Sequence, residues 1–114
     1  MHELPVTEGI LQVVLDAARQ AGNRRVTAID LVIGDLSSIV DDSVQFYFDI
    51  LSRETLAAGA VLRFQRVPGT VTCADCGQRF DAQLPLDPQC IACGSVHIHV
   101  TGGQQMRVAS IEVA

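Results

Sequence analysis

Leu11, Val14, Leu15 and Ala18 recur at spacings of three and four, which predicts a helix with one buried face. The pattern covers residues 5–22. Pro5 suits the first turn, where its missing N–H costs nothing. Gly22 and Asn23 offer a stop, while Gly9 inside the segment costs about 1 kcal/mol relative to Ala. The period then drops to two. Ile29, Leu31 and Ile33 line one face of a strand over residues 25–33, Thr27 and Asp30 interrupt a uniformly apolar reading, and Gly34 ends it. Asp41, Asp42 and Ser43 offer N-caps for a second amphipathic helix marked by Val44, Tyr47, Phe48 and Leu51, and Gly59 terminates the segment after it. Val61 to Val67 alternates again, with Leu62 and Phe64 facing one way and Arg63 and Gln65 the other. From Met106 to Val113 a last strand is predicted. Its alternation slips between Val108 and Ile111, as a β-bulge would produce.

Between the second and last strands the pattern breaks twice, at Pro68-Gly69 and at Gly102-Gly103. A Cys-rich stretch fills the interval. This order predicts an α+β fold: a small three-stranded sheet with two helices on one face, plus an inserted zinc-ribbon-like module. Residues 1–69 with 102–114 would form the α/β domain and residues 70–101 the insertion. Two independent domains and a tail is the alternative. The insertion is preferred because a short apolar C-terminal strand needs a sheet to bury it. Both glycine junctions read as tethers that allow the insertion some independent movement.

Composition limits the possible functions. Of 114 residues 48% are hydrophobic but only 4% aromatic, with no Trp, so the core must be built mainly from Val, Ile, Leu and Ala. Net charge is −5 and every basic residue is Arg. The nearest approach to a basic cluster is Arg24-Arg25, too little for phosphate backbones; no nucleic acid is expected as partner. Apolar runs fall far short of the roughly 20 residues of a membrane span, and an acidic residue at position 3 does not suit a secretory signal. No membrane partner and a cytoplasmic location are expected.

All four cysteines lie in two pairs, "CADCG" (Cys73, Cys76) and "CIACG" (Cys90, Cys93). Two thiols three residues apart can grip one ion from a tight turn, and Gly77 and Gly94 permit the positive φ that turns backbone N–H groups toward sulfur. Four thiolates make a closed tetrahedral zinc site, structural because no coordination position stays open. Disulfides suit an oxidising compartment that nothing here indicates, and a redox CxxC fits two matched pairs poorly. Iron is the chemical alternative in the same cage. The stretch has few apolar residues of its own, so metal is expected to supply much of its folding free energy.

The start "MHEL", the stretch "LVIGDLSSI", the helix "FYFDIL", both Cys pairs with "CGS" closing the second, and the ending "RVASIEV" together resemble the HypA/HybF family of hydrogenase nickel-incorporation proteins. Pro5 departs from that pattern, where small polar residues are commoner. The resemblance implies a nickel metallochaperone that delivers Ni(II) during maturation of [NiFe] hydrogenase. It implies His2 as the indispensable nickel ligand, with Met1 and Glu3 contributing. The Met1 amine, the His2 amide nitrogen and the His2 imidazole can close two fused chelate rings on one ion, and square-planar nitrogen coordination suits Ni(II) or Cu(II); the resemblance implies nickel. Without the resemblance His2 reads as an idle terminal side chain. The implied partners are a nickel-handling GTPase and the hydrogenase large subunit. No GxxxxGK[ST] loop occurs here, so GTP hydrolysis would belong to the partner.

His97 and His99 point to one side of an extended segment and read as surface histidines, with a secondary metal site as the alternative. Asp35, Asp41, Asp42 and Asp49 read as caps and solvated faces. The rival functional reading is a zinc-ribbon adaptor that binds protein or nucleic acid with no nickel role. An enzyme is a third reading, for which no nucleophile–base pair is visible.

Overall fold

The computed structural model describes residues 3–114. Helix α1 spans Glu3–Gln20, starting two residues before Pro5. That proline still falls where an amide has no helical acceptor. The helix stops as predicted: Gly22 and Asn23 both take positive φ, 92° and 60°, and the Asn23 N–H donates to Ala18 O at 2.9 Å. The buried face is Ile10, Val14 and Ala18, with Leu11 and Leu15 half-covered at its margin.

Strand β1 (Val26–Gly34) is the centre of the main sheet, whose order is β2-β1-β6. It pairs in parallel with β2 (Val61–Val67) and antiparallel with β6 (Met106–Val113). A parallel pair needs a crossover, and helix α2 (Asp41–Leu51) lies within it. Ile29, Leu31 and Ile33 of β1, Leu62 of β2 and the buried faces of α1 and α2 form one core around Phe48. The expected bulge is present. Asp30 faces Ser110 and Leu31 faces Val108, so Ala109 is the extra residue.

The capping expectation for α2 needs correction. Its N-cap is Val40, with no side-chain cap bond. Asp41 and Asp42 occupy the first turn instead, where their charge complements the helix dipole. The Val40 N–H donates to the Glu3 carboxylate, Oε2, at 3.1 Å. A side chain from the start of the chain thus satisfies an amide that a local cap would otherwise serve.

The insertion forms a second sheet of order β4-β3-β5 from β3 (Gly69–Cys73), β4 (Arg79–Ala82) and β5 (Ile98–Thr101). It leaves the main sheet after β2 and returns before β6. The radius of gyration, 17.8 Å, exceeds the roughly 13 Å of a compact chain this long, because the second sheet stands off the first.

At the junction Gly34, Gly69 and Gly103 crowd together. A Cβ on Gly34 would lie 2.1 Å from the Gly103 carbonyl, and one on Gly103 would lie 2.7 Å from the Gly69 nitrogen. Leu36 closes the group: its Cδ1 would be 2.6 Å from a Cβ on Gly69, and its N–H donates to Gly103 O at 2.7 Å. The loose tethers read from the sequence are therefore a close-packed backbone crossing. Glycine is needed here for proximity, and at Gly103 also for a φ of 73°.

Candidate metal centres

The two Cys pairs are built alike. Cys73 ends β3 and Cys76 follows in the turn. The Gly77 N–H donates to Cys73 O at 3.0 Å, with φ of 75° at Gly77, and the Cys73 N–H donates to Gln78 O at 2.9 Å. In the second pair the Gly94 N–H donates to Cys90 O at 2.8 Å, φ is 76° at Gly94, and the Cys90 N–H donates to Ser95 O at 2.7 Å. Backbone amides also reach the sulfurs. Cys76 N–H lies 3.4 Å from Cys73 Sγ, and Ala92 N–H lies 3.4 Å from Cys90 Sγ. Both turns use glycine in the way the spacing predicted.

The turns face each other. All four sulfurs lie within 4.8 Å of one another, with Cys73 Sγ 3.7 Å from Cys93 Sγ and Cys76 Sγ 3.6 Å from Cys90 Sγ. A tetrahedron of sulfurs about 2.3 Å from a central zinc has edges of about 3.8 Å. The donor set and its spacing therefore fit zinc. All four are free thiols, Cys73 and Cys90 buried and Cys76 and Cys93 exposed.

Electrostatics within the cluster explains why it needs a cation. The Cys76 backbone N–H lowers the Cys73 thiol to about 6, aided by the Asp75 N–H and the sulfurs of Cys76 and Cys93. At Cys93 the Ser95 N–H pulls the same way, but desolvation and the sulfurs of Cys73, Cys76 and Cys90 outweigh it and push the thiol up to about 12. Cys76 is also raised: desolvation and the Cys73 and Cys90 sulfurs outweigh the Gln78 N–H. Cys73 favours the thiolate, while Cys76 and Cys93 resist it. Cys73, Cys76, Cys90 and Cys93 would hold a divalent ion as four thiolates, its charge offsetting that resistance.

Sequence reasoning missed a strap between the turns. Ser95 Oγ donates to Asp75 Oδ2, and His97 Nδ1 lies 3.0 Å from the same oxygen. The Ser95 hydroxyl first, then His97, holds the Asp75 carboxyl below its usual range. The Ala74 N–H donates to His97 O at 2.8 Å. His97 thus ties one Cys turn to the other, and His99 sits on β5 opposite Thr72. Among the described residues the metal-ligating group contains only the four cysteines. The signal was present in "CADC" and "CGSVH", but nothing local says that these segments meet.

Met1 and His2 lie outside the described residues. Glu3 opens α1 and is only 4% exposed. One of its carboxylate oxygens accepts the Val40 N–H. Of the acidic residues read as caps or solvated faces, Asp41 pairs with Arg66 and Asp49 accepts from Gln45 Nε2 at 2.7 Å.

A family model described as hydrogenase/urease nickel incorporation, metallochaperone, hypA matches residues 1–113. The chain belongs to the HypA family. The hydrogenase maturation factor HypA of Geobacter metallireducens is 41% identical over 113 residues, covering 99% of each chain. That of Albidiferax ferrireducens is 39% identical with the same coverage. The solution structure of the nickel metallochaperone HypA from Helicobacter pylori superposes with a TM-score of 0.66 at 22% identity, covering 99% of this chain and 97% of that one. A second HypA solution structure gives 0.69 at 23% identity. At those identities the likeness establishes the fold. The resemblance noted from the sequence is thus correct, and the function of this HypA-family chain is nickel incorporation in hydrogenase maturation, with a tetrathiolate cage suited to structural zinc. Among the described residues no helix is long and apolar enough to cross a membrane.

Proposed function

We propose that the chain carries Ni(II) on its amino terminus and transfers it to the large subunit of a [NiFe] hydrogenase, in concert with a nickel-handling GTPase. The observation that carries this reading is the family match, which extends from residue 1 through residue 113 and so includes the "MHE" start. Residues 1–69 with 102–114 act as the nickel-binding unit and residues 70–101 as the zinc-binding unit. His2 is the principal nickel ligand, joined by the Met1 amine and by Glu3. Cys73, Cys76, Cys90 and Cys93 hold zinc. The protein is a carrier in the cytoplasm, not an enzyme.

An amine, an amide nitrogen and an imidazole at a chain end suit a carrier. Such ligands exchange one at a time, so an ion can pass to a new donor set without being released to water. The Glu3 carboxylate supports this from a distance. By accepting the Val40 N–H it fixes the first turn of α1 against the start of α2. One of its oxygens is thereby occupied, which leaves its amide nitrogen and its other oxygen as donors.

Nickel titration of untagged protein tests the reading. Acetylation of the Met1 amine and the substitution His2→Ala should each abolish or greatly weaken nickel binding while bound zinc stays constant. His97→Ala with His99→Ala should change little. Acetylated protein that binds nickel as tightly as the free form would remove the amine from the site.

A further inference from the structure

The zinc-binding unit presents a groove that neither metal site uses. It is a cleft of about 490 Å³ whose apolar lining includes Val71, Phe80, Leu86 and Ile91, within the roughly 300–1,000 Å³ of ligand clefts. Val71 and Phe80 face each other across β3 and β4. Leu86 and Ile91 come from the segment that leads into and through the second Cys turn, and they stand 44% and 69% exposed. Neither is spent on the core. Leu84, Val96 and Val100 of the same unit are exposed as well, and Leu86 and Ile91 are the two of these five that line the cleft.

Charge and backbone point to the occupant. Asp81 and Asp87 line the same cleft. Residues 70–101 contain Asp75, Asp81 and Asp87 against Arg79 alone, and four thiolates outweigh the two charges of a zinc ion. The field over the groove is therefore negative. Phe80 and Asp81 belong to β4, an edge strand that has β3 as its strand neighbour, and an edge is open to an added strand. A second copy of this chain is a poor candidate, since the chain carries a net −5 with no Lys.

We propose that this groove binds an extended segment of another protein in which apolar residues alternate with Arg or Lys. The apolar side chains enter between Phe80 and the Leu86–Ile91 wall, and the basic ones meet Asp81 and Asp87. This site is separate from nickel carriage and stands or falls independently of it.

The test uses the zinc-loaded full chain, nitrogen-labelled for NMR, and two short capped synthetic peptides. One alternates Leu with Arg; the other replaces each Arg by Glu. The Leu/Arg peptide should shift the amides of Phe80, Asp81, Leu86 and Ile91 and bind at least roughly tenfold more tightly than the Leu/Glu peptide. Leu86→Ser with Ile91→Ser should weaken it about tenfold or more. Because those side chains are exposed, zinc content should not change. Asp81→Asn with Asp87→Asn should erase the preference between peptides; Asn at position 87 can still accept the Gln89 N–H, which now lies 2.9 Å from Asp87 Oδ1. Equal binding of both peptides, shifts confined to the main sheet, shifts that depend on protein dilution alone, or no binding would each overturn the proposal. Nickel titrations of the same variants should match the unaltered protein, so a failure here is distinguishable from a failure at the amino terminus.

Discussion

Replacing glycine by alanine adds the same methyl group anywhere, yet its effect should change sign between Gly9 and Gly34. Gly9 is exposed inside α1, and a Cβ there meets nothing within 4 Å. Gly9→Ala should therefore stabilise by about 0.8–1 kcal/mol through helix propensity. A Cβ on Gly34 would lie 2.1 Å from both C and O of Gly103 and 2.6 Å from Gln104 N. Non-bonded carbons rest near 3.5–4.0 Å, so the two backbones must separate by more than roughly 1 Å. They are held by the Gly34 N–H to Gln105 O and the Leu36 N–H to Gly103 O, each 2.7 Å. Overpacking costs about 1–3 kcal/mol, and stretching two such bonds adds about 1 kcal/mol. Gly34→Ala should destabilise by about 2–4 kcal/mol. The assay is urea denaturation of both variants at saturating zinc, followed by helical circular dichroism. A Gly34→Ala protein within about 0.5 kcal/mol of the unaltered chain would show that the crossing is not close-packed in solution. It would restore the reading of these glycines as loose tethers.

Four further outcomes are expected. Phe48→Ala should cost about 3–5 kcal/mol in the same urea assay, since its ring is fully buried at the centre of the main core. Glu3→Ala should cost about 1–3 kcal/mol by stranding the Val40 N–H and should speed hydrogen exchange at that amide, whereas Glu3→Gln should retain most of both. Cys73→Ser should release zinc and unfold residues 70–101 while the helical signal of the main core persists, as metal analysis and circular dichroism would show. Arg63, then Ser110, holds the Asp30 carboxyl below its ordinary 3.8. That contribution is present above the unfolded value and is lost as pH falls through the lower folded one. Asp30→Asn should therefore lower the urea midpoint at neutral pH and leave it unchanged in strong acid.

Much of this protein is written in local periodicity. The face of α1, the alternation of β1 and β2, and even the bulge at Ala109 arise from which neighbouring positions are apolar. Helix and strand faces are short-range geometry, so a linear pattern carries them. The zinc cage was legible for the same reason: each pair of cysteines forms its half-site within one turn. The family was legible in the co-occurrence of that cage with the "MHE" start. The features that the tertiary structure alone decided involve partners far apart in sequence. The Val40 N–H at the head of α2 is satisfied by Glu3, 37 residues away, and none of the local candidates Asp41, Asp42 and Ser43 caps the helix. Gly34, Gly69 and Gly103 read singly as breaks or tethers, and only their convergence shows that Gly34 and Gly103 are small because another backbone passes through the space, and Gly69 because the Leu36 side chain does. The Asp75–Ser95–His97 strap and the Phe80–Ile91 groove likewise join segments on opposite sides of the zinc cage. A one-dimensional pattern records what a residue needs locally. Which distant group satisfies that need is settled when the chain closes its sheets.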